Sequence, residues 1–294
     1  MEGNAMKLRM ALLPVAVESV DSRSYIFAYP IRCPCELPGD FVIPHRLKHF
    51  TQGVFLPRAE PDWFGRRAYP PRVVLLSQDW LAILAHPASG EETQIVPLRE
   101  LVSVEYGHFL LLGWISFASP TGIRVLSFNT RTSRPVEDLL SLLSKQWVPS
   151  FERHEMTCES FGSALEIKFQ NAERAALERE ERVLARFFNP GRTRKHRAWG
   201  LFRVESREPG DYLAVTDRRL LWITDRYRGY SERYGSILRS APLGNVIAIS
   251  IDLAGVGREI VCRLKCGSSW RIPLPANQHS AGASFVERAL PCIR

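Results

Sequence analysis

The segment Gly210–Asp225, with the sequence GDYLAVTDRRLLWITD, shows most directly how this chain folds. Two apolar runs flank the polar residues Thr216–Arg219. This pattern predicts a β-hairpin, because short runs rich in β-branched and aromatic residues around a polar turn are typical of paired strands. The side chain of Asp217 is expected to bond nearby backbone N–H groups and fix the turn. Arg218 and Arg219 are then expected to point outward or to pair with it.

An earlier segment of the chain repeats this pattern. Val73–Leu84 reads VVLLSQDWLAIL, and Ser77–Trp80 occupies the place of the Thr-Asp-Arg-Arg turn. Each copy continues with a Pro-Leu pair, a run of alternating apolar residues, a second predicted hairpin and a short amphipathic helix. The order of these elements is the same in both copies, although the loops differ in length. We therefore infer a duplicated domain.

Seven predicted strands and a closing helix can be counted in the second copy. This arrangement, together with Thr216, Asp217 and Arg219 in the turn, resembles the bacterial pleckstrin-homology-like (PH-like) domains, in which a Thr-Asp-x-Arg turn recurs. The first copy departs from that turn at Ser77–Trp80 and is assigned through its similarity to the second. The resemblance implies a mainly β fold of two tandem PH-like antiparallel barrels or sandwiches, each with a C-terminal helix, joined by a helical segment.

The expected domain boundaries follow from this repeat. They are 1–30 for an N-terminal extension, 31–149 for a diverged PH-like domain, 150–180 for a helical linker and 181–294 for a PH-like domain. The linker helix is predicted because Ser163–Arg186 is rich in Ala, Glu, Arg and Leu and contains neither Gly nor Pro.

The net charge of +8 is concentrated in one part of the chain. Glu181–Arg239 contains 14 Lys and Arg against 7 Asp and Glu, whereas the rest has 25 against 24. An anionic partner should therefore meet the second copy. In eukaryotic PH domains the loop after the first strand often holds inositol phosphates through basic residues, and the matching loop here is Asn189–Arg197. The residues predicted to bind a ligand are Arg186, Arg192, Arg194, Lys195, Arg197, Arg203, Arg218, Arg226 and Arg228.

Both basic segments also have a simpler interpretation. Asn189–Arg197 could be a solvated surface loop without a specific ligand, because runs of charge are common on protein surfaces. In Arg226–Tyr234, Arg alternates with Tyr, which could stack nucleic-acid bases or contact a membrane surface. The same composition also fits an ordinary loop between strands.

The sequence favours binding over catalysis. No phosphate loop, dinucleotide fingerprint, nucleophile elbow or pair of carboxylates is present, so we expect neither an enzyme nor a cofactor. The expected function is a tandem binding or scaffold module whose second domain engages an anionic lipid headgroup or an acidic protein. The alternatives are nucleic-acid binding by the same patch and a structural protein that forms homo-oligomers through edge strands. No apolar run is long enough to span a bilayer, and we expect a cytoplasmic protein that can lie at the membrane surface.

Four residues near the N-terminus have side chains that could together bind zinc, namely Cys33, Cys35, His45 and His49. Two thiolates and two imidazoles can complete a tetrahedron around zinc. However, the Cys-x-Cys spacing is tighter than in known zinc motifs, and Pro44 disrupts a simple helix through the two histidines. We therefore expect no metal and interpret the four as core or loop residues. The sparse cysteines are expected to be reduced.

Overall fold

The fold is mainly β. The computed structural model describes residues 27–58, 70–147, 167–191, 193–198, 202–227, 230–231, 235–255 and 257–293. Within these residues, 15 strands form three antiparallel sheets of five, seven and three strands, and two further hairpins stand apart from them. The sheets are open, so the expected closure into barrels is wrong.

The first repeat, residues 52–147, contains seven strands followed by a helix, and the short edge strand β1 (Tyr29–Ile31) pairs with its first strand. Its elements are β2 (Gln52–Leu56), β3 (Arg72–Leu76), β4 (Trp80–Ala85), β5 (Gln94–Pro97), β6 (Ser103–Phe109), β7 (Leu112–Ser119), β8 (Gly122–Asn129) and α1 (Arg134–Trp147). A 3₁₀ turn at Leu98–Glu100 separates β5 from β6.

The second repeat, residues 183–289, has the same order of elements with two inserted hairpins. Its elements are β9 (Val183–Asn189), β10 (Thr193–Ala198), β11 (Phe202–Arg207), β12 (Asp211–Thr216), β13 (Arg219–Thr224), β14 (Arg226–Tyr227), β15 (Tyr230–Ser231), β16 (Gly235–Pro242), β17 (Val246–Ala254), β18 (Gly257–Leu264), β19 (Ser269–Leu274) and α3 (His279–Ala289). The insertions are β10–β11 and β14–β15. A 3₁₀ turn at Leu243–Asn245 lies between β16 and β17, as its counterpart does in the first repeat.

Each repeat encloses an apolar core between its two groups of strands and its helix. In the first repeat, Val136, Leu139 and Leu143 of α1 are fully buried, at the helical spacing visible in the sequence. Complete burial of a side chain of this size contributes about 1.5–3 kcal/mol. Phe285 and Ala289 of α3 close the core of the second repeat in the same way.

The two repeats share one sheet. Strand β6 of the first pairs antiparallel with β16 of the second, with residues 104–109 opposite 235–240. The seven-stranded sheet therefore has the order β8-β7-β6-β16-β13-β12-β9. We call this contact the junction. Across it, Arg239 Nε donates to Glu105 Oε2 at 2.6 Å, so part of the positive charge of the second repeat is used within the fold.

The helix α2 (Ile167–Ala176) lies between the repeats and is shorter than expected. Its residue Phe169 is fully buried against the outer face of β12 and β13, with Ala172 and Ala176 beside it. The expectation of helix as far as Arg186 is wrong, because the chain from Val183 onward forms β9. Residues 150–166 of the predicted linker lie outside the described residues, as do residues 1–26 of the N-terminal extension.

The hairpin between β12 and β13 forms as predicted, but Thr216 fixes its turn. Thr216 Oγ1 accepts hydrogen bonds from the backbone N–H of Arg218 at 3.1 Å and of Arg219 at 2.9 Å. The expectation that Asp217 fixes the turn is therefore wrong. Its Oδ1 instead accepts from the backbone N–H of Arg182 at 3.1 Å, just before β9. The acidic residue therefore joins the turn to the neighbouring strand.

The turn of the first repeat is built on the same hydroxyl position. Ser77 Oγ donates to the carbonyl oxygen of Trp80 at 3.3 Å, and Thr216 Oγ1 lies 3.0 Å from the carbonyl oxygen of Arg219. Because a hydroxyl can satisfy backbone groups within a tight turn, Ser and Thr are interchangeable here. The divergence in sequence at the other turn positions leaves the strand pairing intact.

Candidate functional site

The structure places the predicted ligand-binding residues in different environments. Arg192 and Arg228 lie outside the described residues. Those on the inserted hairpin, for which the backbone is described, are Arg194, Lys195 and Arg197 on β10 and Arg203 on β11. The remaining three, Arg186, Arg218 and Arg226, lie on β9, in the β12–β13 turn and on β14.

The inserted hairpin brings several cationic positions together. The expected loop Asn189–Arg197 is wrong from residue 193 onward, because Thr193–Ala198 forms β10. In the register of the hairpin, Arg197 is opposite Arg203 and Thr193 is opposite Arg207. Residues opposite each other in an antiparallel pair lie on one face. Arginine positions 197, 203 and 207 therefore share a face of this two-stranded sheet with positions Lys195 and Glu205, whereas position Arg194 lies on the opposite face.

Arg186 has a structural role. Its Nη2 lies 2.8 Å from Glu173 Oε1 on α2, and Tyr212 Oη donates to the same carboxylate oxygen at 2.6 Å. Burial, reinforced by the hydrogen bond to Glu173, raises the pKa of the Tyr212 phenol. This cluster attaches α2 to the sheet, and Glu173 neutralises the charge of Arg186 within the fold.

Arg226 is also paired within the fold. Its Nη2 lies 3.6 Å from Oδ2 of Asp211, a fully buried carboxylate whose Oδ1 accepts from Trp222 Nε1 at 3.1 Å. Burial raises the pKa of Asp211, and the charge of Arg226 opposes this only in part. A second fully buried carboxylate, Asp225, accepts from the backbone N–H of Gly210 at 2.8 Å. The acids at the two ends of the Gly210–Asp225 segment are thus structural, a role that the sequence analysis did not assign.

The adjacent residues Arg218 and Arg219 differ sharply. Arg218 is half-exposed and forms no ion pair with any residue that the structure describes. Arg219 is 5% exposed, and its Nε and Nη2 donate to the two oxygens of Glu181 at 2.8 and 2.6 Å. Its Nη1 donates to Ser144 Oγ on α1 at 2.7 Å. The expectation that Arg219 points outward or pairs with Asp217 is therefore wrong, and the side chain instead connects the two repeats.

A cavity of about 390 Å³ lies at the junction, with β6 and β16 as its floor and α1 and α2 as its walls. The floor consists of alternate residues of the two strands, namely Val104, Tyr106, His108, Ser236, Leu238 and Ser240. The walls combine apolar residues, among them Leu140, Leu143, Ala172 and Ala176, with the charged residues Glu137, Glu178, Arg179 and Arg219. A concave site with an apolar lining and a few polar groups is the usual form of a small-ligand pocket.

Two polar atoms of the floor have no hydrogen-bond partner among the described residues, Nδ1 of His108 and Oγ of the buried Ser240. Burial lowers the pKa of His108; Glu137 opposes this shift and Lys168 adds to it. The imidazole is therefore neutral at about pH 7. Tyr106 Oη donates to Glu137 Oε1 at 3.0 Å, and burial together with this carboxylate raises the pKa of Tyr106. The floor thus offers neutral hydrogen-bonding groups.

The sequence analysis did not identify this cavity, because the cavity exists only when β6 and β16 pair. His108 and Ser240 are polar residues in otherwise alternating strands, and either would be interpreted as solvent-facing when its own strand is considered alone. The one available signal was that each of these polar residues shares its strand face with an apolar one, Tyr106 for His108 and Leu238 for Ser240.

The N-terminal cysteines form a disulfide, Cys33–Cys35, so the expectation of reduced thiols is wrong for this pair. The disulfide removes both sulfurs as zinc ligands. His45 and His49 are exposed. Across the described ranges, no group of three or more His, Cys, Asp or Glu side chains is arranged to hold a metal ion.

Comparison with known proteins gives no relative: no protein-family model matches the sequence, and no curated protein is significantly similar to it. In the part of the chain that the structure covers, no helix is both long enough and apolar enough to cross a bilayer.

Proposed function

We propose that this chain is a non-enzymatic tandem PH-like binding module whose second repeat engages an anionic partner through the hairpin β10–β11. The observation that supports this most directly is the register of the hairpin, which aligns Arg197 with Arg203 and adds Arg207 on the same face. The hairpin is an insertion outside the three packed sheets.

The contact surface that we propose differs from the full predicted set. Arg186 and Arg226 are paired with Glu173 and Asp211, so they contribute to the fold. The proposed contacts are the hairpin residues Arg194, Lys195, Arg197 and Arg203, with Arg218 in the β12–β13 turn of the same repeat. Clustered guanidinium groups bind phosphate and carboxylate oxygens in a bidentate manner, which suits a lipid headgroup or an acidic protein surface.

The test is co-sedimentation of the protein with vesicles of phosphatidylcholine alone and with vesicles containing phosphatidylserine. We expect binding only to the anionic vesicles. The variant Arg197→Glu/Arg203→Glu should bind at least about tenfold more weakly, since each basic residue near an anionic surface contributes about 1 kcal/mol. The control Arg124→Glu/Arg131→Glu changes two exposed arginines of the first repeat and should bind as the wild type does.

The outcomes separate the partners. Equal binding to both vesicle types, or none, excludes the lipid version and leaves an acidic protein as the partner. Displacement from anionic vesicles by a single-stranded oligonucleotide, with affinity falling steeply as salt rises, would favour nucleic acid. A hairpin variant that binds as well as the wild type would exclude this surface altogether.

The junction cavity supports a second candidate function, the binding of a small uncharged molecule. The specific observation is that Ser240 Oγ and His108 Nδ1 lie on its floor without hydrogen-bond partners in the described structure. Both atoms are buried beneath the surface of the floor, so a ligand with an apolar body and both a donor and an acceptor would satisfy them once the two side chains turn toward the cavity. Phenol, indole and benzamide are suitable probes, with benzoate and benzylamine as charged counterparts.

Binding can be followed by the imidazole NMR signals of His108. The neutral probes should shift these signals, and Ser240→Val should abolish the shift. Exposed His45 provides the internal control, because its signals should not move. Equal responses to neutral and charged probes, or none, would remove this candidate.

A further inference from the structure

The junction joins a particular pair of strand edges. Strand β6 is the first strand after the 3₁₀ turn in the first repeat, and β16 is the last strand before the matching turn in the second. The matching strands in the other repeat are β17 and β5. Both of these are terminal strands of their sheets, β17 in the order β17-β18-β19 and β5 in the order β1-β2-β3-β4-β5. In the part of the chain that the structure describes, one copy of each edge that the junction joins is therefore unpaired.

The unused β17 edge exposes apolar side chains where the junction covers their counterparts. Counting from Leu98 and Leu243, which begin the matching 3₁₀ turns, Val102 corresponds to Ile247. Val102 is 4% exposed and packs into the core of the second repeat, whereas Ile247 is 61% exposed. Leu253, which corresponds to His108 at the junction, is 82% exposed. Ile247 and Leu253 lie near the two ends of β17, so this strand exposes an apolar side chain at each end.

The β5 edge matches this surface. Ile95 and Val96 of β5 are half-exposed, and Ile95 packs in part against a core of its own repeat. The corresponding Ser240 is buried at the junction, and Ala241 is buried in the core of the second repeat. A depression of about 550 Å³ adjoins β5 at the turn that includes Asp79 and Trp80. In the second repeat the matching turn is covered by α1 through the Ser144–Arg219 hydrogen bond.

We propose that this chain assembles head to tail, with β17 of one copy pairing antiparallel with β5 of another in a repetition of the internal junction. The occupant of the free edge is thus a second copy of the chain. The register follows from Arg239 opposite Glu105, which places Gln94 of one copy opposite Ser250 of the next. Because β5 and β17 differ, the contact is heterologous and generates a ring or an open filament.

The same register predicts one unfavourable pair. Glu92 falls opposite Asp252, whose Oδ2 accepts from Arg263 at 2.8 Å within its own chain. Like charges opposite each other destabilise a strand pair. The self-association should therefore be weak in the wild type and should strengthen when this repulsion is removed.

The test is cross-linking between full-length chains. In a background in which Cys158, Cys262, Cys266 and Cys292 are replaced by Ser or Ala, chains with Gln94→Cys are mixed with chains with Ser250→Cys under mild oxidation. We expect a disulfide-linked dimer of the two species. The matched control is Ser269→Cys, on β19 at the opposite edge of the same three-stranded sheet. It should give no such dimer.

Two further substitutions should change the yield in opposite directions. Ile247→Glu should lower the rate of cross-linking at least about tenfold, corresponding to about 1.4 kcal/mol of association free energy. Glu92→Gln should raise it. Circular dichroism of each variant verifies that the chain is folded. A monomer at all concentrations, or equal cross-linking through Ser269→Cys, would overturn the proposal. Because these residues lie on different sheets from the β10–β11 hairpin, the result of the vesicle-binding test does not depend on whether the chain self-associates.

Discussion

Replacing Arg219 by Met should be among the most damaging single changes in this chain. The guanidinium is 5% exposed and neutralises Glu181, whose side chain is fully buried, through bonds of 2.8 and 2.6 Å. It also donates to Ser144 on α1 at 2.7 Å and to the carbonyl oxygen of Ala176 at 2.5 Å. Met fills similar space but leaves the carboxylate without its partner. Breaking a buried ion pair in this way costs about 3–5 kcal/mol.

The pH dependence identifies the cause of the loss. Burial alone would raise the pKa of Glu181, but the hydrogen bonds and charge of Arg219, with Thr216, keep it below its ordinary value. In the wild type, Glu181 therefore stabilises the fold above its unfolded-state pKa, and this contribution is lost as the pH falls through the folded-state pKa. Without Arg219, burial dominates and the pKa rises, so the variant loses stability as the pH increases. The difference between the two proteins should thus grow from about pH 4 to about pH 7.

The assay is urea unfolding followed by circular dichroism at both pH values. Arg218→Met is the matched control, since it removes the same charge one residue away from a half-exposed position with no ion pair in the described structure. It should change the free energy of unfolding by less than about 0.5 kcal/mol. The double variant Glu181→Leu/Arg219→Met should recover most of the loss. An Arg219→Met variant that is no less stable than Arg218→Met, or whose loss does not depend on pH, would refute the reasoning.

Four other substitutions test separate parts of the structure. Thr216→Val should lower the free energy of unfolding in urea by about 1–3 kcal/mol, because two turn N–H groups lose their acceptor. Ser77→Ala should lower it by less, since Ser77 makes a single weaker contact. Asp211→Asn should gain stability relative to the wild type as the pH rises from about 4 to about 7, because the raised pKa of Asp211 makes its ionisation unfavourable in the fold; a constant difference would contradict this. Ser240→Val should be neutral or stabilising in thermal unfolding, because it removes a buried hydroxyl with no partner in the described structure, and a clear loss would show that the hydroxyl is satisfied.

Much of the local structure could be predicted from the sequence because it depends on neighbouring residues. The continuous apolar runs Tyr212–Val215 and Leu220–Ile223 around a polar turn are enough to specify a hairpin, and these residues are buried strands in the structure. The predicted stripe Val136, Leu139, Leu140 and Leu143 likewise specified the packed face of α1, on which Leu140 is only partly buried. Such patterns follow from the periods of the strand and the helix, which a single segment already displays.

The roles of the arginines could not be predicted in the same way. A count of charge treats every arginine alike. In the structure, however, Arg219 forms a buried ion pair with Glu181, whereas Arg218 is half-exposed. What distinguishes them is the position of a carboxylate that is remote in sequence, such as Glu173 for Arg186. A charge excess therefore indicates where an anion can bind, but only the tertiary structure shows which cations remain for it.

The shared sheet changes how the two repeats should be understood. Because β6 and β16 pair, and Arg219 and Ser144 bridge the same boundary, the first repeat is part of the structural support of the second. The junction creates the cavity floor, so the site with neutral polar groups belongs to neither repeat alone. It also leaves β5 and β17 as the edges at which the same pairing can recur. A chain that uses one such contact internally already has the complementary surfaces needed to use it again with a second copy.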